Sequence, residues 1–416
     1  MPRAVTRVGA IIALLASAAL LTACTTQPMP TPTPTPSATP LGDGILRIGT
    51  LFPSTGATAF LGASQLDAVK VAVADINAAG GVNGKPVELV SDDSGDASTQ
   101  TAEASLADLA KKGVDVVIGP SSSVLSQRLL TAAQAARIPL VSPAATYPQL
   151  STLDIEGIFF RTIASSAHQG VALGTLLPSR KQLKVAVIAS SDAVGQSIVA
   201  PLGDTLSQHG GSLVANIALT ASSDAGQLAA QVKAAAPDAV VLDTLDNGAQ
   251  TKAVITQLSA AGFGGAKLWL TAQNLADYSQ ALPAGALTGV NGILEGADAS
   301  AAFQARLKAV DPGVSSFQYA PEAYDATILV ALAATLAHDD NGIGVAAHLR
   351  SASVGGIKCT SYAECLDVLE SEPAIDYDGI SGSVNLDAAG DPSSGSYGVY
   401  AYTADNKCAR TATVTG

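Results

Sequence analysis

Short Val/Ile/Leu runs alternate with Ala-rich stretches along most of this chain, and that alternation restricts its fold more than any other feature. Residues 45–52 (ILRIGTLF) read as a strand, and 62–79 as a helix that sets Leu66, Val69, Val73 and Ile76 on one face. Gly80-Gly81 stops that helix, because glycine accepts the left-handed cap at no steric cost. The series continues through strand 87–90, helix 99–112, strand 114–118, helix 124–136 and a short strand at Leu140-Val141. It resumes with strand 185–188, helix 197–209, strand 212–217, helix 227–235, strand 239–242 and helix 249–261. Strands that alternate with helices build parallel sheets covered by helices on both faces. The two series, broken by the loop around Tyr147 to Gly157, predict an α/β chain of two Rossmann-like lobes. No short fixed-period repeat points to a solenoid.

At 416 residues the chain is long enough for two or three domains of roughly 150 residues each. Its formal charge is −13, with no long basic run, so nothing neutralises phosphates and a nucleic-acid partner is not expected. The four His residues (168, 209, 338 and 348) are scattered, and neither HExxH nor CxxC occurs. GGVNGK (80–85) lacks the Walker spacing, and no GxGxxG follows a strand. No metal and no cofactor are expected.

The N-terminus carries an address. Arg3 and Arg7 precede an apolar run over 8–21, too short to span a bilayer comfortably, and small residues follow it. That pattern predicts a secretory signal over 1–23. Leu21-Thr22-Ala23-Cys24 resembles the lipobox of bacterial lipoproteins, which implies acylation of Cys24. Two or more acyl chains anchor a protein stably where a single one does not. Residues 25–42 (TTQPMPTPTPTPSATPLG) alternate Pro with Thr and Ser, so 24–42 reads as a lipid-anchored, semi-rigid spacer of ~3.1 Å per residue. The folded part would then stand outside the cytoplasmic membrane, tethered to it.

In open parallel sheets, ligands bind beyond the carboxyl ends of the strands. Two such turns stand out: Gly119-Pro120-Ser121-Ser122-Ser123, entering a helix, and Ser142-Pro143-Ala144-Ala145-Thr146. Free backbone N–H groups and small hydroxyls suit a carboxylate or another anion. The same Ser and Thr residues also serve as N-caps and turn formers, and composition does not separate the two roles.

Five further stretches fix a resemblance: LFPSTGATAFLG (51–62), DINAAGGVNGKPVELVSDD (75–93), VDVVIGPSSS (114–123), IPLVSPAATYPQL (138–150) and PEAYDA (321–326), with DYDGISGSVNLDAAGDP (376–392) near the end. In order and spacing they resemble the leucine/isoleucine/valine-binding protein family, the type I solute-binding components of ABC importers. The resemblance implies two α/β lobes joined by three crossover segments, with 45–162 and 290–394 in lobe 1 and 163–289 and 395–416 in lobe 2. It also implies a monomer that binds a small solute in the cleft and delivers it to membrane permease subunits without altering it.

Carried over by residue, the family's contacts to an amino acid's carboxylate and ammonium fall at Ser123, Ala144 and Thr146, beside Ser122 and Ala145. In the second lobe the family's two aromatics and its acidic residue fall at Val194, Leu245 and Gln273. A buried ammonium without a carboxylate is costly. Asp192, Asp243 and Asp246 are the candidates for that charge. An amino acid is therefore the family's default here, and another small carboxylate or an amide stays open.

With Cys24 taken by lipid, Cys359, Cys365 and Cys408 predict one disulfide and one odd thiol in an oxidising compartment. Ser361 to Glu364 is a capping box that starts a helix. Residues six apart in one helix rise ~9 Å, beyond disulfide reach. Cys359 precedes the cap, so the chain can fold back; Cys359–Cys365 is favoured, and pairing with Cys408 is the alternative. Two other classes remain. A ligand-sensing receptor module would use the same fold. An exported hydrolase would need a nucleophile, and no GxSxG and no suitably placed SxxK occurs, although a dispersed Ser/His/Asp site leaves no such mark.

Overall fold

The computed structural model describes residues 42–416 apart from 57, 154–156 and 245–246. The signal segment, Cys24, the spacer up to residue 41, Leu245 and Asp246 lie outside the described residues. The first sheet grows around β1 (Arg47–Phe52), an apolar strand buried from both sides. Ile48 and Phe52 pack into one core and Leu51 into another, as the two-residue period of a strand requires. β2 (Glu88–Asp93), β3 (Val116–Ile118), β4 (Leu140–Ser142) and β5 (Phe159–Arg161) complete a parallel sheet of order β2-β1-β3-β4-β5. α1 (Gly62–Ala78) covers one face, and α2 (Thr101–Lys111) with α3 (Ser123–Ala136) the other.

After β5 the chain crosses into a second α/β layer. α4 (His168–Ser179), β6 (Lys184–Ser190), a four-residue α5 (Ala193–Gln196) and α6 (Val199–Gln208) come first. β7 (Ser212–Leu219), α7 (Ala225–Ala235), β8 (Ala239–Asp243), α8 (Ala249–Leu258), β9 (Leu268–Leu270) and β10 (Asn291–Glu295) follow. α4 and α6 pack on the face that buries Val187, Val241 and Trp269. α7 and α8 cover Ile188, Val240 and Leu242 on the other.

The second crossing returns the chain through α9 (Ala301–Val310), α10 (Ala320–Ala337) and α11 (Gly342–Ser353) to the first lobe. A small sheet follows: β11 (Ile357–Cys359), then α12 (Tyr362–Leu369), β12 (Ile375–Gly379) and β13 (Gly382–Ser383). A third crossing leads to β14 (Ser396–Tyr402) and β15 (Cys408–Thr415), antiparallel additions to the second sheet, whose order is β15-β14-β10-β9-β8-β6-β7. The chain is thus two α/β lobes joined by three crossovers. The expected lobe boundary at 289/290 is corrected by β10: it pairs with β9 and β14 in the second sheet, so the second crossing comes after Glu295.

α10 is apolar all round and buried along most of its length, the environment such a helix demands. Its Asp325 is buried too, and pays by pinning the β12–β13 turn. Oδ1 accepts from Tyr377 Oη (2.8 Å) and Ile380 N (3.0 Å), and Oδ2 from Ser381 N (2.7 Å) and its hydroxyl. PEAYDA and DYDGISGS, far apart in sequence, are two halves of one contact. Cys359 is bonded to Cys365 across the start of α12, and Cys408 is unbridged and half-buried in β15. No helix of the described residues is long and apolar enough to cross a membrane.

Candidate functional site

The turns that follow β3 and β4 are locked together by short hydroxyl side chains. Gly119 opens the first turn at φ +117°, where a Cβ would lie 2.5 Å from the Leu51 carbonyl oxygen. Ser122 caps α3, its Oγ accepting from Leu125 N (3.4 Å). Ser123 Oγ accepts from Thr146 N (2.9 Å) and Tyr147 N (3.2 Å). Ser142 Oγ donates to the Pro120 carbonyl (2.6 Å) and accepts from Ala145 N (3.0 Å). Capping and turn-forming therefore use these three hydroxyls. The Thr146 hydroxyl makes no hydrogen bond to the described residues and faces a cavity.

Arg161 holds the second turn from behind, at the end of β5, where the first crossing begins. Fully buried, it spends all five N–H donors: two on Asp391 (2.7 Å each), two on the carbonyls of Ala145 (3.0 Å) and Tyr147 (3.1 Å), and one on Ser151 Oγ (2.6 Å). Asp391 lies just before the third crossing, so one ion pair ties two crossovers to a cavity wall.

The cavity, of about 440 Å³, opens between the lobes. Ser122, Ser123, Thr146 and Tyr147 line it from the first lobe, with Phe60, 64% exposed, at its rim. Ala272, Gln273, Leu294 and Glu295 line it from the second, and Tyr319 closes one side. Of the residues expected at the site, Ser122, Ser123, Thr146 and Gln273 are brought together. Ala144 and Ala145 are not among the lining residues; at 8% and 0% exposure they sit behind the turn.

In the second lobe the structure places Asp192, Val194 and Asp243 away from the lining of this cavity. Asp192 caps α5, with Oδ1 accepting from Val194 N and Gly195 N (2.9 Å each) and Oδ2 from Ser190 Oγ (2.7 Å). It borders a separate hollow of about 300 Å³ beside Thr244 and Gln250, and Val194 lines neither space. An Asp at a helix start serves the helix first. Asp243, the other described candidate for the charge, is buried at the end of β8 against the Thr271 hydroxyl and does not reach the cavity.

The carboxylate that does reach the cavity is Glu295, at the end of β10 and 3% exposed. Its Oε1 accepts from Gln169 Nε2 (2.7 Å), and Gln169 Oε1 in turn accepts from Ala272 N (2.9 Å). Burial pushes the Glu295 carboxyl up to about 7, with the nearby Asp243 adding to the rise. Behind it Glu322 accepts from Ala297 N (2.6 Å), and burial lifts it to about 8. The signal for Glu295 is an acid closing the apolar run GILE (292–295) just before a glycine, a strand end that the sequence reading left unassigned.

Residues 45–361 match the periplasmic binding protein family. The chain is 27% identical over 359 residues to the chemotactic signal transduction system substrate-binding protein BasB of Halobacterium salinarum, covering 84% of this chain and 85% of that one. It is 33% identical over 155 residues to an amino acid binding protein of Pseudomonas aeruginosa, covering 36% of this chain and 40% of that one. Among solved structures it is similar to the branched-chain amino acid transporter substrate binding protein LivJ of Streptococcus pneumoniae in complex with isoleucine. There the TM-score is 0.62 at 20% identity, over 89% of this chain and 99% of that one. A solute binding protein of R. palustris in complex with benzoate gives a TM-score of 0.56 at 18% identity, over 89% of this chain and 96% of that one. With its two lobes, three crossovers and interlobe cavity, the chain belongs to the periplasmic binding protein family, of the type I kind that includes the leucine/isoleucine/valine-binding proteins.

Proposed function

We propose that this protein is the extracytoplasmic solute-binding lipoprotein of an ABC importer. It captures a small amino-acid-like solute, or a related carboxylate or amide, between its lobes and hands it unchanged to membrane permease subunits. The observation that carries this reading is the cavity of about 440 Å³ walled by both lobes, with hydroxyls on one side and Gln273 and Glu295 on the other. Its volume lies within the ~300–1,000 Å³ common for small-molecule sites. The protein acts as a monomer held to the membrane through Cys24, with 25–42 as spacer. A second reading, ligand sensing for a membrane receptor, is favoured by the similarity, over 84% of this chain, to a chemotactic substrate-binding protein.

A thermal-shift screen of residues 43–416 against amino acids, short amides and aromatic acids tests the solute. A ligand that binds the folded state raises stability by RT ln(1 + [L]/Kd). An amino acid or amide that shifts melting and is recovered chemically intact supports the proposal. No shift from any of the three classes, or a solute recovered altered, overturns it.

A further inference from the structure

Among the described residues that line the cavity, Glu295 alone carries a formal charge. One oxygen is held by Gln169, whose orientation is fixed because its own carbonyl takes the Ala272 N–H. Among the described residues the other oxygen takes no hydrogen bond from a second residue, and Glu295 is in none of the ion pairs. Arg161, the nearby cation, is consumed by Asp391 and three acceptors. Asp243, buried close by, adds to the cost of a negative charge there. A buried carboxylate in such surroundings is costly until a cation pairs with it.

We propose that Glu295 receives a protonated amine of the solute, the role that the family resemblance places at residue 273, where this chain has Gln. The proposal rests on the reading of the cleft as a solute site and sharpens it. Hydroxyl donors on the first lobe meet a carboxylate or another acceptor, and Glu295 on the second meets an ammonium. The cleft therefore selects zwitterions and rejects the same skeleton without its amine. Gln273, able to donate and accept, stands beside the pair and takes a neutral group.

Calorimetric titration with L-leucine beside 4-methylpentanoate, and with L-phenylalanine beside 3-phenylpropanoate, tests it. In at least one pair the amine-bearing member should bind tenfold or more tightly than its partner. E295Q should erase that preference, E295D should keep part of it, and Q273E should not be needed for it. Melting of each variant without solute checks that it folds; if E295Q does not fold, the comparison runs on E295D, which should weaken the amine-bearing member alone. Equal binding of the two members, or a preference unchanged in E295Q, overturns the role of Glu295 and leaves the cleft reading standing. Binding of no member by the wild-type protein overturns the role of Glu295. Failure of the broader screen as well overturns both.

Discussion

Ser123 and Thr146 divide the work of one turn. The Ser123 oxygen is taken up by two backbone N–H groups, leaving it a single O–H to donate, whereas the Thr146 hydroxyl faces the cavity without a partner among the described residues. Their substitutions should differ accordingly. Thr146→Val, nearly the same size, removes a hydroxyl that would meet a carboxylate in a charge-assisted bond worth roughly 1.5–3 kcal/mol. Calorimetric titration with the solute from the screen should show binding weakened by about 10- to 150-fold, with melting of the free protein almost unmoved. Ser123→Ala instead strands two partly buried N–H groups, so urea unfolding should show a loss of about 1 kcal/mol even without solute. Unchanged affinity in Thr146→Val would show the turn to be a scaffold only.

At the scale of elements, the crossovers are held by a few long-range polar contacts. Arg161 joins the end of β5 to the loop before β14 and to the turn after β4. Arg161→Met would leave Asp391 buried without its cation, and removing one partner of a buried pair costs about 3–5 kcal/mol. Denaturant unfolding should show that loss, and Arg161→Met with Asp391→Leu should recover part of it; a single variant as stable as wild type would refute the anchoring role. Such contacts explain what the sequence could reveal. β1, β6 and β8 advertise themselves through apolar runs, and their helices through a repeating face. The three-residue β9 is too short to display a period, and α10, apolar on every side, has no face to detect. The predicted helix over 197–209 is α6, with the four-residue α5 a separate turn ahead of it and Pro201 in the first turn of α6, where an N–H needs no helical partner. The two serine-rich turns were legible because each is local. Glu295 was not, since its partner Gln169 is 126 positions away.

Over the whole molecule, buried carboxyls outweigh the cations available to pair with them, and this sets how stability depends on pH. Burial pushes Asp115, Asp243 and Glu295 up to about 7 and Glu322 to about 8. Asp325 is raised by burial to about 6, its four hydrogen bonds holding it back. In the unfolded chain these groups ionise near ~4. Between about 4 and 8 the folded state therefore binds more protons than the unfolded state, and stability falls as pH rises. Asp93 works in the opposite sense: burial raises it, but hydrogen bonds from Thr55, Ser54 and Gly95 prevail and hold it at about 2, so its contribution is lost as pH drops below ~4. Urea midpoints at constant ionic strength should peak at about pH 4–5 and decline toward pH 8. A curve that is flat or rises from 5 to 8 would refute the burial account. A solute that brings an ammonium to Glu295 favours its ionised form, and so removes one of the groups that penalise the fold at neutral pH. The rise in melting temperature that such a solute confers should consequently be larger at pH 8 than at pH 5, and E295Q should abolish that difference while leaving the decline from the other carboxyls in place.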